Sequence, residues 1–206
     1  MDDDKYEFTV DWFSKYWPNW LTLTADQTIS KILEIGSFEG RSACTMIDHF
    51  SKTAPLEVFC IDDWAGGTDH NEFDMEVVEQ RFNHNIQQAV TATKNPVKVQ
   101  KCKGSAIEML AALLANGYRN YFDLIFVDGS HEGPDVLGDL VVSYQLCAIG
   151  GLIIVDDYLW SDVPHGSEDL LAMPRLAVDA FGRLFTRKVA LWGGLPLYQV
   201  YFRKTV

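Results

Sequence analysis

The sequence predicts an α/β fold: a mostly parallel, seven-stranded sheet with helices on both faces and an antiparallel hairpin at the C-terminus. Three observations predict it. Short apolar runs alternate with longer stretches of helical periodicity, the pattern of strand–helix–strand units. The runs are almost continuously apolar, as strands covered on both faces must be. The last two runs are joined by only Gly193 to Pro196, too short a link for a parallel crossover.

The first thirty residues hold Trp12, Phe13, Tyr16, Trp17 and Trp20, and Pro18-Asn19 interrupts any long helix among them. Exposing so many rings would create a sizeable apolar patch. Residues 1–30 are therefore expected to pack on a body formed by residues 31–206, or to join copies of the chain into a homo-oligomer. The body opens with the strand KILEI (31–35), followed by a helix marked by Ala43, Met46, Ile47 and Phe50. EVFCI (57–61) is the second strand, and Val78, Phe82, Ile86 and Val90 mark the next helix at four-residue steps. VKVQKC (97–102) precedes a stripe of Ile107, Leu110, Leu113 and Leu114. FDLIFV (122–127) precedes another, of Leu137, Leu140, Val141 and Tyr144, and LIIV (152–155) is the fifth strand. Pro174 opens a last helix through Phe181 with Gly182 as its stop, and 186–192 and 197–204 form the hairpin.

A chain of 206 residues fits one domain with an appendage, large enough to bury roughly 70% of its unfolded surface without disulfides or metal. A net charge of −12 with scattered Lys and Arg argues against nucleic acid and against anionic membranes. Cys44, Cys60, Cys102 and Cys147 lie far apart beside apolar runs and read as reduced, buried thiols. The acidic start MDDDKYEF is not a signal peptide, and no run is long enough to cross a bilayer, so a cytoplasmic location is expected.

Several strands end in acids: Asp62 and Asp63 after the second, Asp128 after the fourth, Asp156 and Asp157 after the fifth. In open α/β sheets ligands bind beyond the carboxyl ends of the strands, so these groups converge on one crevice. Glu34 to Ser42, E-I-G-S-F-E-G-R-S, is a glycine turn between strand and helix. It lacks the GxGxxG spacing of a dinucleotide site, which disfavours a nicotinamide-dependent dehydrogenase. An acid ahead of the turn suits a ligand with a cationic amino-acid head.

ILEIGSFEGRSA resembles motif I of class I methyltransferases that use S-adenosylmethionine (SAM), FCIDDW resembles their motif II, and KGSAIEML the turn beside the adenine. FDLIFVDGSHEGPDVLGDL followed by GGLIIVDDYLW resembles the small-molecule O-methyltransferase branch with the VDGSH signature. The resemblance spans residues 31–206 and implies a Rossmann-like class I methyltransferase fold. It implies that Glu34, Gly36, Ser37 and Gly40 cradle the methionine part of SAM. Asp62 would bind the ribose hydroxyls with Asp63 as the competing candidate, and Ser105 would meet the adenine edge while capping the next helix. Asp128 would stand beside the reacting group.

The same branch holds Mg²⁺ (or Mn²⁺) on acids at the positions of Asp128, Asp156 and Asp157, which suits hard oxygen ligands. Adjacent strand residues point to opposite faces, so Asp156 and Asp157 can share an ion only if the chain bends there. Metal-free relatives leave the alternative of a supporting Asp156 and a turn-capping Asp157. His131 is the candidate base, because an imidazole can take a hydroxyl proton near neutral pH. Some sugar-modifying relatives carry an acid where this chain has Ser130. His49, His70, His84 and His165 have weaker claims. Segments 64–73 and 159–174 are candidate covers for the acceptor. The expected reaction is methyl transfer from SAM to an oxygen of a small hydroxylated molecule, a sugar or a phenol. The competing readings are a degenerate SAM-binding domain acting as an interaction protein, and a hydroxylase-like relative of the same fold.

Overall fold

A computed structural model describes residues 5–67, 70–161, 163–164, 166–167 and 169–206. His165 and parts of both candidate covering segments lie outside the described residues. The strands are β1 (Lys31–Ile35), β2 (Leu56–Asp62), β3 (Val97–Lys103), β4 (Phe122–Val127), β5 (Cys147–Val155), β6 (Val189–Leu191) and β7 (Val200–Lys204). They form one sheet in the order β3-β2-β1-β4-β5-β7-β6. The first five pair in parallel, and β7 runs antiparallel to both β5 and β6. The helices are α1 (Trp17–Thr24), α2 (Arg41–Phe50), α3 (Met75–Thr91), α4 (Ala106–Ala115), α5 (Gly133–Leu146) and α6 (Pro174–Leu184).

Strand residues alternate between two cores, as a period of two requires. Ile32, Val58, Cys60, Leu124, Phe126 and Ile154 face α2, α3 and the N-terminal segment. Leu33, Ile35, Phe59, Ile61, Ile125 and Ile153 face α4, α5 and α6. The chain order reverses between β1 and β4, so the crevice expected at the strand ends opens there.

Within 5–30 the rings turn inward. Trp20 is fully buried against Phe126 at 4.8 Å between ring centroids, and Phe13 packs edge-on to both. Tyr6 and Tyr16 are also buried, while Trp12 stays half exposed. Pro18 does not break a helix here. It sits in the first turn of α1, where its missing N–H has no intrahelical partner to lose.

Other element boundaries also differ from the sequence pattern. Helix α6 runs through Gly182 to Leu184. That glycine does not end the helix, and a Cβ there would make only an ordinary contact with the Phe202 ring at 3.4 Å. The hairpin strands are shorter than the apolar runs that suggested them, and β5 begins five residues earlier, with an irregularity opposite Phe122 and Leu124. In the helical stripes, Leu110, Leu113, Leu140 and Tyr144 are buried, but Ile107 and Val141 face solvent. Cys44, Cys60 and Cys147 are buried free thiols, and Cys102 is half-buried.

Candidate active site

The strand ends are stitched to one another by main-chain bonds. Gly36 N–H donates to Ile61, Asp128 N–H to Ile35, Gly104 N–H to Asp62 and Asp156 N–H to Val127. The glycine turn thus lies directly against the end of β4. Gly36 has φ +85°, and an added Cβ would sit 1.9 Å from the Asp128 carbonyl oxygen. No other residue fits that approach. Gly40, at φ +82°, starts α2 against the Phe82 ring.

A cleft of about 970 Å³ opens above these ends. Gly36, Ser37, Asp62, Asp63, Ser105, Asp128, His131, Asp156 and Asp157 all reach its wall. Glu34 does not. It is fully buried beneath the turn, accepting hydrogen bonds from Ser37 Oγ at 2.6 Å and Ser42 Oγ at 2.5 Å. Burial pushes its carboxyl up to about 7, opposed by the two serine bonds. The acid ahead of the turn therefore orients Ser37 rather than standing on the cleft wall. Gly40 likewise shapes the turn from behind.

Asp62 Oδ2 accepts from Ser37 N–H and Phe38 N–H, both at 2.8 Å, and Oδ1 from Trp64 N–H at 2.7 Å. It holds the glycine turn to β2, which leaves one of its four lone-pair sites for a ligand. Asp63 is exposed on the cleft with one bond, to Ala65 N–H. Ser105 sits at the N-cap of α4, but its hydroxyl makes no cap bond.

At the other end of the cleft, His131 Nε2 lies 2.9 Å from Asp157 Oδ2, and the imidazole stacks on Trp160 with centroids 3.8 Å apart. Asp157 has φ +57°, a left-handed conformation strained for a residue with a side chain. This is the bend that the paired acids required. It does not aim both at one point. Asp156 is buried, its Oδ2 accepting from Gln199 Nε2 and its Oδ1 from the Asp157 N–H. Burial and then the neighbouring Asp157 push it up to about 7. Among the described residues, no three His, Cys, Asp or Glu side chains stand as a metal-ligating group. The expected Mg²⁺ set of Asp128, Asp156 and Asp157 shares a cleft but does not fit as a ligand set in this arrangement, because Asp156 turns to Gln199 and Asp157 to His131.

Several residues of this half escape sequence reasoning. Tyr198 hydrogen bonds Asp157, and its hydroxyl is pushed up by burial and by that carboxylate. Its ring stacks on Tyr16 at 5.6 Å, and Lys15 Nζ lies over both rings. Gln199 bridges Asp156 to Trp20, whose indole N–H donates to it at 2.9 Å. The N-terminal segment is fastened where it passes the glycine turn. Glu39 accepts from Thr9 N–H, Thr9 Oγ1 and Arg81, and Arg41 donates to the Val10 carbonyl. Trp12, Phe38, His70 and Phe73 form a ring cluster beside it. His49 and His84 lie away from the cleft wall, while His70 is on it and accepts from Gly67 N–H.

An open sheet of this strand order, with a glycine turn and strand-end acids around one cleft, defines the Rossmann-like methyltransferase class. Residues 33–158 match the family described as Methyltransferase domain, and the chain belongs to that family as a SAM-dependent methyltransferase. The fold recurs in solved structures. An O-methyltransferase from Bacillus cereus, in complex with S-adenosylhomocysteine (SAH), superposes with a TM-score of 0.63 at 19% identity, over 94% of this chain and 83% of that one. The O-methyltransferase TomG of Streptomyces achromogenes, in complex with SAM, gives 0.63 at 17% identity, over 96% and 82%. MycE, with Mg and SAH, gives 0.57 at 18% identity, over 95% of this chain but only 51% of that one. No curated protein matches the sequence significantly.

Proposed function

We propose that the chain transfers the SAM methyl group to a hydroxyl oxygen of a small polyhydroxylated or phenolic molecule, with His131 as the base. The observation that carries this reading is the His131–Asp157 pair, 2.9 Å apart on the cleft wall and two strand ends away from the glycine turn. Ser37 and the main chain of the turn hold the methionine part, with Glu34 and Gly40 shaping the turn from behind. Asp63, with the remaining valence of Asp62, holds the ribose, and Ser105 lies toward the adenine. Bound so, the methyl group would lie above the junction of the glycine turn and the end of β4, on the side of His131. The acceptor oxygen attacks that carbon in line as its proton passes to His131 Nδ1, the ring nitrogen opposite the Nε2 that faces Asp157. The C–S bond breaks to leave neutral SAH. Asp157 fixes the ring and stabilises the imidazolium that forms, the role a carboxylate plays behind a histidine base. Holding the two reactants in line supplies much of the remaining acceleration.

Residues 1–30 serve in this reading as an appendage of the body 31–206 that completes the cleft wall with Val10, Trp12, Lys15 and Tyr16. Most of its rings turn inward, and Trp12 and Leu21 are the large apolar side chains it leaves exposed for a second copy in a homo-oligomer. No described helix is long and apolar enough to cross a membrane, and the acidic charge favours a small-molecule acceptor over nucleic acid or lipid surfaces. We place the chain in the cytoplasm.

A second reading keeps Mg²⁺ or Mn²⁺ at Asp128, Asp156 and Asp157, because all three reach the same cleft and MycE holds Mg. It requires Asp156 to leave Gln199. Two experiments separate the readings: SAH formation from SAM across a panel of hydroxylated acceptors, with and without chelator, and the same assay on His131→Ala. Loss on chelation with Mg²⁺ rescue supports the metal, and loss only in His131→Ala supports the base.

A further inference from the structure

The acceptor end of the cleft holds a cation that the mechanism does not use. Acids crowd the cleft wall, and among the described residues Lys15 and Arg41 are the only lysine and arginine that reach it. Arg41 is engaged: its Nε donates to the Val10 carbonyl at 2.9 Å, one Nη stands 3.7 Å from Asp11, and the guanidinium lies over the Phe8 ring. Lys15 makes no ion pair with any described residue. Its Nζ lies 4.7 Å from the centre of the Tyr16 ring and 5.1 Å from that of Tyr198, two rings stacked at 5.6 Å. The acids beside these rings have partners of their own. Asp157 faces His131 and Tyr198, and Asp156 faces Gln199 and the Asp157 N–H.

An ammonium has three N–H donors and no acceptor, so a site built on it recognises a negative group. One donor hydrogen bonds the Tyr16 hydroxyl. The remaining N–H groups and the Tyr16 O–H are left for a ligand. Tyr198 is tied by its carbonyl to the Tyr158 N–H just past β5, so Nζ stands at the acceptor end, two strands from the glycine turn. Without Lys15, the strand-end acids would repel an anion from this end. We infer that Lys15 and Tyr16 form a subsite for a carboxylate carried by the acceptor. The acceptor is then a hydroxy acid, aromatic or sugar-derived, rather than a neutral phenol or polyol, a substrate class that rests on the methyl-transfer reading above.

The test is calorimetric titration of the SAH-loaded full chain with two matched pairs: the dihydroxybenzoate protocatechuate against its amide, and glucuronate against its amide. In at least one pair wild type should bind the acid about tenfold more tightly, the usual strength of hydrogen bonds to a charged group. That preference should shrink as salt is raised. Lys15→Met should abolish or reverse it, because the neighbouring acids then act unopposed. Lys15→Arg keeps the cation and should retain the preference to within about threefold. Lys15 is exposed, so neither change threatens the fold, and SAH affinity should stay within about twofold in both. A wild type that binds acid and amide equally, or neither, overturns the inference, and so does a preference that survives Lys15→Met. A Lys15→Met chain with much weaker SAH binding assigns the cation to the cofactor instead, overturning the inference while the SAM reading stands. A wild type that does not bind SAH overturns both.

Discussion

The two ends of the cleft are built differently. The cofactor end, over β1, β2 and β3, is fixed by the main chain: strand-end amides bond to neighbouring strands, and Asp62 gathers three N–H groups of the surrounding turns. The acceptor end, over β4 and β5, is fixed by side chains from distant parts of the chain. Lys15 and Tyr16 come from the N-terminal segment, Tyr198 and Gln199 from the approach to β7, and Trp160 from the loop after β5. A backbone-built end suits a ligand that never changes, and a side-chain-built end can vary with the acceptor.

The largest expected effect tests the backbone end. Gly36→Ala puts a methyl group into the Asp128 carbonyl at a positive φ, so it should lower stability by about 4 kcal/mol or more and abolish SAH binding in any folded fraction. Thermal melting with and without SAH reads both. A Gly36→Ala protein that melts and binds like wild type would remove the close packing of the turn on β4 as the basis of this end.

Next comes a substitution that should stabilise. The Asp139 carboxyl is raised from 3.8 to about 7 in the fold, so the folded chain binds more protons than the unfolded chain between those values. Its contribution is fully present below about pH 4, is lost as pH rises toward 7, and is absent above that. Asp139→Asn should flatten this decline and raise stability at pH 8 by up to about 4 kcal/mol. Urea unfolding at pH 5 and pH 8 measures it, and a decline identical in wild type and variant would count against the burial of this charge.

The N-terminal segment links the two ends, and Thr9 tests the link. Thr9→Val removes the hydroxyl bond to Glu39 and should lower stability by about 1 kcal/mol while weakening SAH binding several-fold. Lost stability with unchanged affinity would separate the segment from the cofactor end. The smallest effect is expected at Ser105. Its hydroxyl caps nothing, so Ser105→Ala should change stability by less than about 0.5 kcal/mol and act on SAH affinity alone.

This contrast also explains what the sequence made legible. The parallel order, the hairpin and the glycine turn follow from local pattern: continuous apolar runs, four-residue periodicity, and glycine at two positive-φ positions. Acids after strands are likewise a local signal. Glu34 was legible as a site residue but not its direction, because the strand's alternation puts it on the α2 face under Ser42, a tertiary fact. Asp156 and Asp157 were legible as a pair that had to bend. Which way each turned depended on Gln199 and His131, far off in the chain. Lys15, Tyr16 and Tyr198 carried no signal beyond their own types, since nothing in two separate aromatic stretches says that they stack. Asp139 sat inside the resemblance around Asp128 and His131, but its burial without a partner is visible only once α5 is packed against α4.

The central claim is that a metal-free His131–Asp157 pair drives methyl transfer at the side-chain-built end. It is tested most directly by the rate of SAM-dependent methylation of whichever acceptor the panel identifies, measured in EDTA for wild type, His131→Ala and Asp157→Asn. The account predicts that wild type keeps its rate in EDTA. His131→Ala should fall by about 10²- to 10⁴-fold, the usual contribution of a general base, and Asp157→Asn by a smaller factor, both with SAH affinity unchanged. A wild-type rate abolished by EDTA and restored by Mg²⁺, with His131→Ala as active as wild type, would contradict it.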